Sequence, residues 1–215
     1  MLNKIFPKIH TEGYKFLVIF IILTIFLNYL SNLLGLIGLV LTIWVYYFFR
    51  DPERISINDE KYLTSPADGE ILMVDEIDGP KELGLENKKF TKISIFMNIF
   101  DCHVNRSPCN GKISEIVYKP GKFLNASLDK ASEDNERNYY KIINSQNEEI
   151  IVVQIAGLIA RRIVCESSKD QEMKQGDRLG MIRFGSRADI YFSNYKPLVK
   201  IGQKTIAGET LLAKK

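Results

Sequence analysis

Hydrophobic positions follow two regimes along this chain. From Tyr14 to Arg50 the sequence YKFLVIFIILTIFLNYLSNLLGLIGLVLTIWVYYFFR has no charge between Lys15 and Arg50, so a helix built from it is apolar on every side. The run is too long for one span of about 20 residues. It divides at Ser31 and Asn32 into two predicted apolar helices, about 15–30 and 33–49. Halves of this length suit a shallow membrane-embedded hairpin as well as two complete crossings.

After DPERISINDEKY the pattern changes to short β-branched and aromatic segments separated by Gly, Pro, Asn and Asp. Strands are predicted at 70–77, 92–99, 111–118, 139–144, 149–157, 178–184, 188–193 and 198–201. The expected organisation is a membrane-anchoring segment, 1–50, followed by a β-rich (α+β), barrel-like domain, 51–215. Two segments, GKISEIVYKPGKFLNA and LVKIGQKTIAGETLLA, each break short strands at a glycine. The second is similar to the hammerhead turns of lipoyl and biotinyl barrels. Those barrels present a carrier lysine, and no lysine here sits in a matching turn, so the likeness concerns architecture.

Charge narrows the picture further. With 29 basic and 26 acidic residues the net charge is +3, and no basic footprint of a nucleic-acid binder is present. Lys4, Lys8 and Lys15 precede the apolar run, and Arg50 and Arg54 follow it. By the positive-inside rule, both ends and everything after Arg54 are expected to face the cytoplasm, at the cell (inner) membrane. The late start of the run and the lack of a small-residue cleavage site argue against a removed signal peptide. Cys102, Cys109 and Cys165 form no CxxC pair, which suits a reducing compartment. His10 and His103 stand far apart, and no metal site is expected.

One position breaks the strand pattern. In GDRLGMIRFGSRADIYFSN, Gly185 and Ser186 interrupt an otherwise continuous β-type run. A nucleophile elbow would require glycine two residues after Ser186, and Ala188 is there instead.

Read together, SPADGEI, FMNIFDCHVNRSPCNGKI, GKFLNASLDKASEDNERN, QIAGLIARRIV and GDRLGMIRFGSRADIY resemble the phosphatidylserine decarboxylase family, in its short proenzyme form with an N-terminal membrane segment. The resemblance runs from about Asp51 to Lys215. It implies self-cleavage between Gly185 and Ser186: Ser186 Oγ attacks the Gly185 carbonyl, and the serine is converted to a pyruvoyl group. The products would be a β-chain, 1–185, and an α-chain, 186–215, held together as a tight heterodimer, with a higher homo-oligomer left open. The pyruvoyl group would form a Schiff base with phosphatidylserine in the membrane, release CO2 and yield phosphatidylethanolamine.

The same resemblance implies roles for His103 in proton delivery and for Asp68 in activating Ser186. Longer family members carry a second histidine three residues after the first, where this chain has Arg106. Arginine cannot serve as a general base, so the base for self-cleavage is either His103 or Asp68. Arg161, Arg162, Arg183 and Arg187 are candidates to meet the substrate phosphate or carboxylate. Asn135, Glu136 and Arg137 suit either an active-site lid or a surface turn, and Cys102 and Cys109 suit small buried positions. Two alternatives stand beside this reading: a non-catalytic, membrane-anchored lipoyl-like adaptor, and a pyruvoyl decarboxylase of a soluble amino acid.

Overall fold

A computed structural model describes residues 6–126, 134–158, 162–183 and 186–215. The chain divides into two compact units, Met1–Glu53 and Arg54–Lys215.

The first unit holds helices α1 (Gly13–Leu30) and α2 (Asn32–Phe48). At the helical rise they are about 27 and 26 Å long, just short of a bilayer core of about 30 Å. Ser31 is extended (φ −166°, ψ 140°) and stops α1, and its hydroxyl accepts the Leu33 N–H to start α2. The helices are joined by a 2.8 Å hydrogen bond between the Thr24 and Thr42 hydroxyls. Each hydroxyl also lies within bonding distance of a backbone carbonyl four residues back, so neither threonine leaves a polar group bare. Val18, Ile22, Ile25, Leu36 and Val40 are all exposed, an apolar surface suited to lipid. Arg50 Nη1 donates to the Tyr47 carbonyl at the end of α2.

The second unit is a β-rich half-barrel. Its strands in chain order are β1 (Tyr62–Thr64), β2 (Gly69–Asp78), β3 (Lys89–Met97), β4 (Val104–Arg106), β5 (Gly111–Lys119), β6 (Arg137–Ile143) and β7 (Glu149–Ala156). They continue with β8 (Ile163–Cys165), β9 (Glu172–Met173), β10 (Arg178–Ile182), β11 (Ser186–Phe192), β12 (Lys196–Pro197), β13 (Lys204–Thr205) and β14 (Leu211–Lys214). Eight form one antiparallel sheet in the order β13-β2-β3-β11-β7-β6-β5-β9, and two three-stranded sheets, β4-β10-β8 and β1-β14-β12, complete the unit.

The large sheet is buried on both faces near its centre, which is why β7 reads EIIVVQIA without alternation. One face packs Ile71, Ile93, Ile95, Tyr140, Val152, Ala188 and Ile190 into the main core. The other gathers Phe90, Tyr139, Ile151, Val153, Ile155 and Tyr191 beneath Leu83 and Leu85.

The segments predicted at 178–184 and 188–193 form strands of different sheets, β10 central in a small sheet and β11 central in the large one. One expectation changes. Residues 198–201 are not a strand: they lead into a turn at Gly202 (φ 86°), whose N–H bonds the Ile71 carbonyl. The short strands β1, β4, β8 and β14 give no readable period, since three or four residues hold too few alternations.

Candidate active site

The chain leaves the small sheet at Ile182 and enters the large one at Ser186. Ser186 is fully buried at the head of β11, in register with Met97 of β3 on one side and Ala156 of β7 on the other. Its hydroxyl points at the Met97 sulfur, 3.9 Å away. A thioether is a weak acceptor, so the contact recorded for the serine oxygen among the described residues is a weak one in a buried setting. Gly185 and Arg161 lie outside the described residues.

His103 stands at the same crossing. It is fully buried, and its carbonyl accepts the N–H of Ile182, the last residue of β10. The turn that delivers it is tied by Asp101 N–H to the Asn98 carbonyl and Asn98 N–H to Asp101 Oδ2. Nδ1 of His103 is 3.0 Å from the Asp101 carbonyl. A carbonyl only accepts, so Nδ1 is the donor in this bond.

Asp68 lies at this end of the sheet too. Gly69 opens β2, Glu70 pairs with Phe96, and the next residue of β3, Met97, pairs with Ser186, so β3 alone separates the Asp68 strand from the serine strand. A side chain at Gly69 (φ 153°) would collide with the Phe96 carbonyl, so the turn after Asp68 needs glycine. Asp68 Oδ1 accepts the Ala207 N–H at 2.8 Å, and Oδ2 accepts Arg54 Nη2 at 2.7 Å. Arg54, counted from sequence among the charges flanking the membrane segment, is instead the first residue of the second unit, with its side chain 13% exposed.

The arginines separate. Arg187 lies in an internal ion pair: it is 1% exposed, bonds Asp189 through Nε and Nη2 at 2.6 and 3.1 Å, and donates to Ser94 Oγ at 2.7 Å. Strand alternation also sends it to the face opposite Ser186. Arg162 is exposed, and its carbonyl accepts the Arg183 N–H. Arg183 is half-buried one residue beyond β10, and burial draws its guanidinium below the ordinary value without discharging it. Arg106 donates Nη1 to the Gly176 carbonyl, and its N–H bonds the Pro66 carbonyl.

Asn135 and Glu136 are fasteners rather than a lid surface. Asn135 bonds both backbone groups of Leu124 and the Ala156 carbonyl, and Glu136 Oε1 accepts the Ile163 N–H. Cys102 and Cys109 are buried, and burial, with Glu148 and Glu60 nearby, pushes the Cys109 thiol up to about 12. Cys109 is therefore a packed thiol and not a nucleophile.

A buried polar chain runs beneath Ser186 that sequence reasoning missed. Tyr140 OH is 2.8 Å from Gln154 Oε1 and 3.1 Å from the Leu179 carbonyl. Gln154 Nε2 donates to Asn105 Oδ1 at 2.9 Å, and Asn105 Nδ2 reaches the Pro66 carbonyl and the Met97 sulfur. Gln154 was the available signal, a single amide inside the apolar run EIIVVQIAG that must find partners once buried. A cleft of about 840 Å³, lined by Asn110, Lys112, Asn144, Asp170 and Lys174, opens at the opposite end of the sheet.

Comparison with known proteins agrees with this arrangement. The family model for phosphatidylserine decarboxylase matches residues 41–213. A phosphatidylserine decarboxylase proenzyme of Pelagibacter ubique (strain HTCC1062) is 84% identical over 215 residues, covering 100% of both chains. Those of Ruegeria pomeroyi and Cereibacter sphaeroides are 51% and 50% identical over 214 residues, covering 99% of this chain and 98% and 92% of theirs. The full-length matches and the family model show that the chain belongs to the phosphatidylserine decarboxylase family.

Proposed function

We propose that this chain is a proenzyme that cuts itself between Gly185 and Ser186 and then decarboxylates phosphatidylserine to phosphatidylethanolamine. The observation that carries the reading is the position of Ser186: buried, and at the head of a central strand where the chain passes from one sheet to another. In the cut, Ser186 Oγ attacks the Gly185 carbonyl carbon. The peptide C–N bond becomes an ester C–O bond, and the hydroxyl proton passes to the freed amine. Loss of the α-proton expels the Gly185 carboxylate and leaves dehydroalanine, and water then displaces ammonia to complete the pyruvoyl group. A setting that excludes bulk water favours this route over simple hydrolysis of the ester.

The pyruvoyl group is made from the atoms of Ser186 itself, and the small neighbours Ala156 and Ala188 leave the head of β11 uncrowded. Once formed, it supplies an electrophilic carbonyl and an electron sink. Of the chain's own residues, His103 holds and returns a proton through Nε2, and Asp68 assists the serine. Arg162 and Arg183 offer cations beside the crossing, and Arg161 belongs to the same RR pair in sequence. The small chain should stay bound, since β11 pairs along its length with β3 and β7.

Localisation follows the same logic. The apolar helices would hold the enzyme at the cytoplasmic face of the membrane, where its substrate resides. Phe100 and Leu158, 69% and 66% exposed at the Ser186 end of the sheet, suit an approach to lipid. The turns at Gly202 and Gly208 (φ 86° and 76°) support the lipoyl-like hammerhead reading, which superposition on such a barrel would test.

Intact mass of the purified protein beside Ser186→Ala tests the proposal. Two chains dividing after Gly185, the small one lighter by one ammonia than hydrolysis gives, are expected only in wild type. An unbroken wild-type chain overturns the pyruvoyl reading. Release of CO2 from free serine as fast as from phosphatidylserine in vesicles overturns the lipid substrate.

A further inference from the structure

Arg54 is a residue that no catalytic motif marks, yet it forms an ion pair with Asp68. The ion pair is 2.7 Å long, with side chains 13% and 12% exposed, well inside the regime where one guanidinium fixes a carboxylate's direction. The second Asp68 oxygen is taken by the Ala207 N–H at 2.8 Å, so the carboxylate is held from two sides by segments far apart in sequence. Arg54 is itself held in place. The following residues are pinned by Ile55 N–H to Glu209 Oε1 and Ser56 Oγ to the Gly208 carbonyl, both in the loop after β13 that also carries Ala207. Other charges near this loop are engaged elsewhere. Arg106 is directed to the Gly176 carbonyl, and Lys204 pairs with Glu70 at 2.9 Å.

The arrangement bears on a gap in the chemistry. Three residues after His103 stands Arg106, which cannot serve as a base, so a carboxylate held in one direction is the group left beside His103 to assist Ser186. We propose that Arg54 is a positioning residue for self-cleavage, acting through Asp68: it keeps the carboxylate aimed in the uncut chain. The proposal rests on the reading that Asp68 assists Ser186. Because Arg54 follows α2 by six residues, the piece of chain that leaves the membrane segment also sets the group that assists maturation.

The test is the rate at which freshly synthesised full-length chain, supplied with phospholipid vesicles, divides into two. Arg54→Gln is expected to slow division about ten-fold, the loss of one charge-assisted bond, and Arg54→Lys to recover most of it. Asp68→Asn is expected to slow it about 100-fold or more. The deciding variant is the pair: Arg54→Gln with Asp68→Asn must divide no more slowly than Asp68→Asn alone, because Arg54 then has no carboxylate to aim. A further multiplicative loss in the pair, or a wild-type rate for Arg54→Gln, overturns the proposal. Should Arg54→Gln fail to fold, Arg54→Met, alone and in the Asp68→Asn background, carries the same comparison. A wild-type rate for Asp68→Asn sinks the role of Asp68 itself, which is a different failure from that of Arg54.

Discussion

The two ends of the eight-stranded sheet are built from similar residue types and do opposite things with them. At the far end Glu148 is saturated: Oε1 accepts Lys215 Nζ at 2.8 Å, and Oε2 accepts Asn144 Nδ2 at 2.8 Å and Tyr195 OH at 3.2 Å. Asn144 Oδ1 in turn takes the N–H groups of Gln146 and Glu148. At the other end Ser186 faces a thioether, His103 presents one nitrogen to a carbonyl, and exposed apolar side chains, Phe100 and Leu158, stand at the rim. The far-end turns are polar by comparison, running Asn144, Ser145, Gln146 and Asn147 on one side and Ser193 and Asn194 on another. Polar groups with every bond made hold a fold together. Polar groups kept buried at the point where the chain changes sheets are placed for chemistry.

Arg187 gives the largest expected effect and the sharpest cut through this comparison. It is next to Ser186 in sequence yet belongs, by its bonds, with the structural groups. Arg187→Met strands Asp189 in the core and should cost about 3–5 kcal/mol, read by urea unfolding in the uncleavable Ser186→Ala background. Arg187→Met with Asp189→Leu should restore most of that, since a buried pair can be replaced by apolar residues at little cost. A loss below about 1 kcal/mol in the single variant would mean that Asp189 finds another partner and that the pair is not the anchor of this face.

His103 tests the reactive end. His103→Gln keeps a polar side chain of similar size but cannot exchange a proton near neutral pH. The expected result is a fall in kcat for phosphatidylserine of about 100-fold or more in molecules that have already divided. Thermal stability should fall far less than in Arg187→Met. Unchanged kcat would remove His103 from proton delivery and leave it a structural residue at the crossing, holding Ile182 through its backbone.

The membrane helices, the long strands and Ser186 are legible in the sequence alone. The two apolar helices follow from charge-free runs, and the long strands from β-branched segments, because both signals are carried by many residues at once. Ser186 stood out because a Gly-Ser pair interrupted a strand pattern, and the physical reason is now visible: the chain changes sheets there. Partner choice was not readable. Arg54 and Arg187 are chemically alike, yet one holds Asp68 across 14 residues and the other Asp189 across two, and only the folded register brings either pair together. Short strands were missed for a related reason, since their pairing is dictated by neighbours and not by their own few residues.

Glu148 gives the smallest expected effect and tests the far end. Burial alone would raise its carboxyl, but the bonds from Lys215 and Asn144 and the charge of Lys215 outweigh that and bring it below the ordinary value. A group depressed in this way adds stability that is complete above its unfolded value and is lost as pH falls through its folded one. Glu148→Gln should therefore cost about 1–2 kcal/mol at pH 7, discounted because Lys215 is partly in solvent. The gap between wild type and variant should narrow as pH falls below the ordinary carboxylate value of 4.5. Decarboxylation and self-cleavage should be untouched, because the residue sits at the opposite end of the strands from Ser186. A gap that stays constant down to pH 3 would show that Glu148 contributes through packing and its amide partner instead of its charge. Slowed self-cleavage in this variant would break the comparison itself, since the two ends of the sheet would then be coupled.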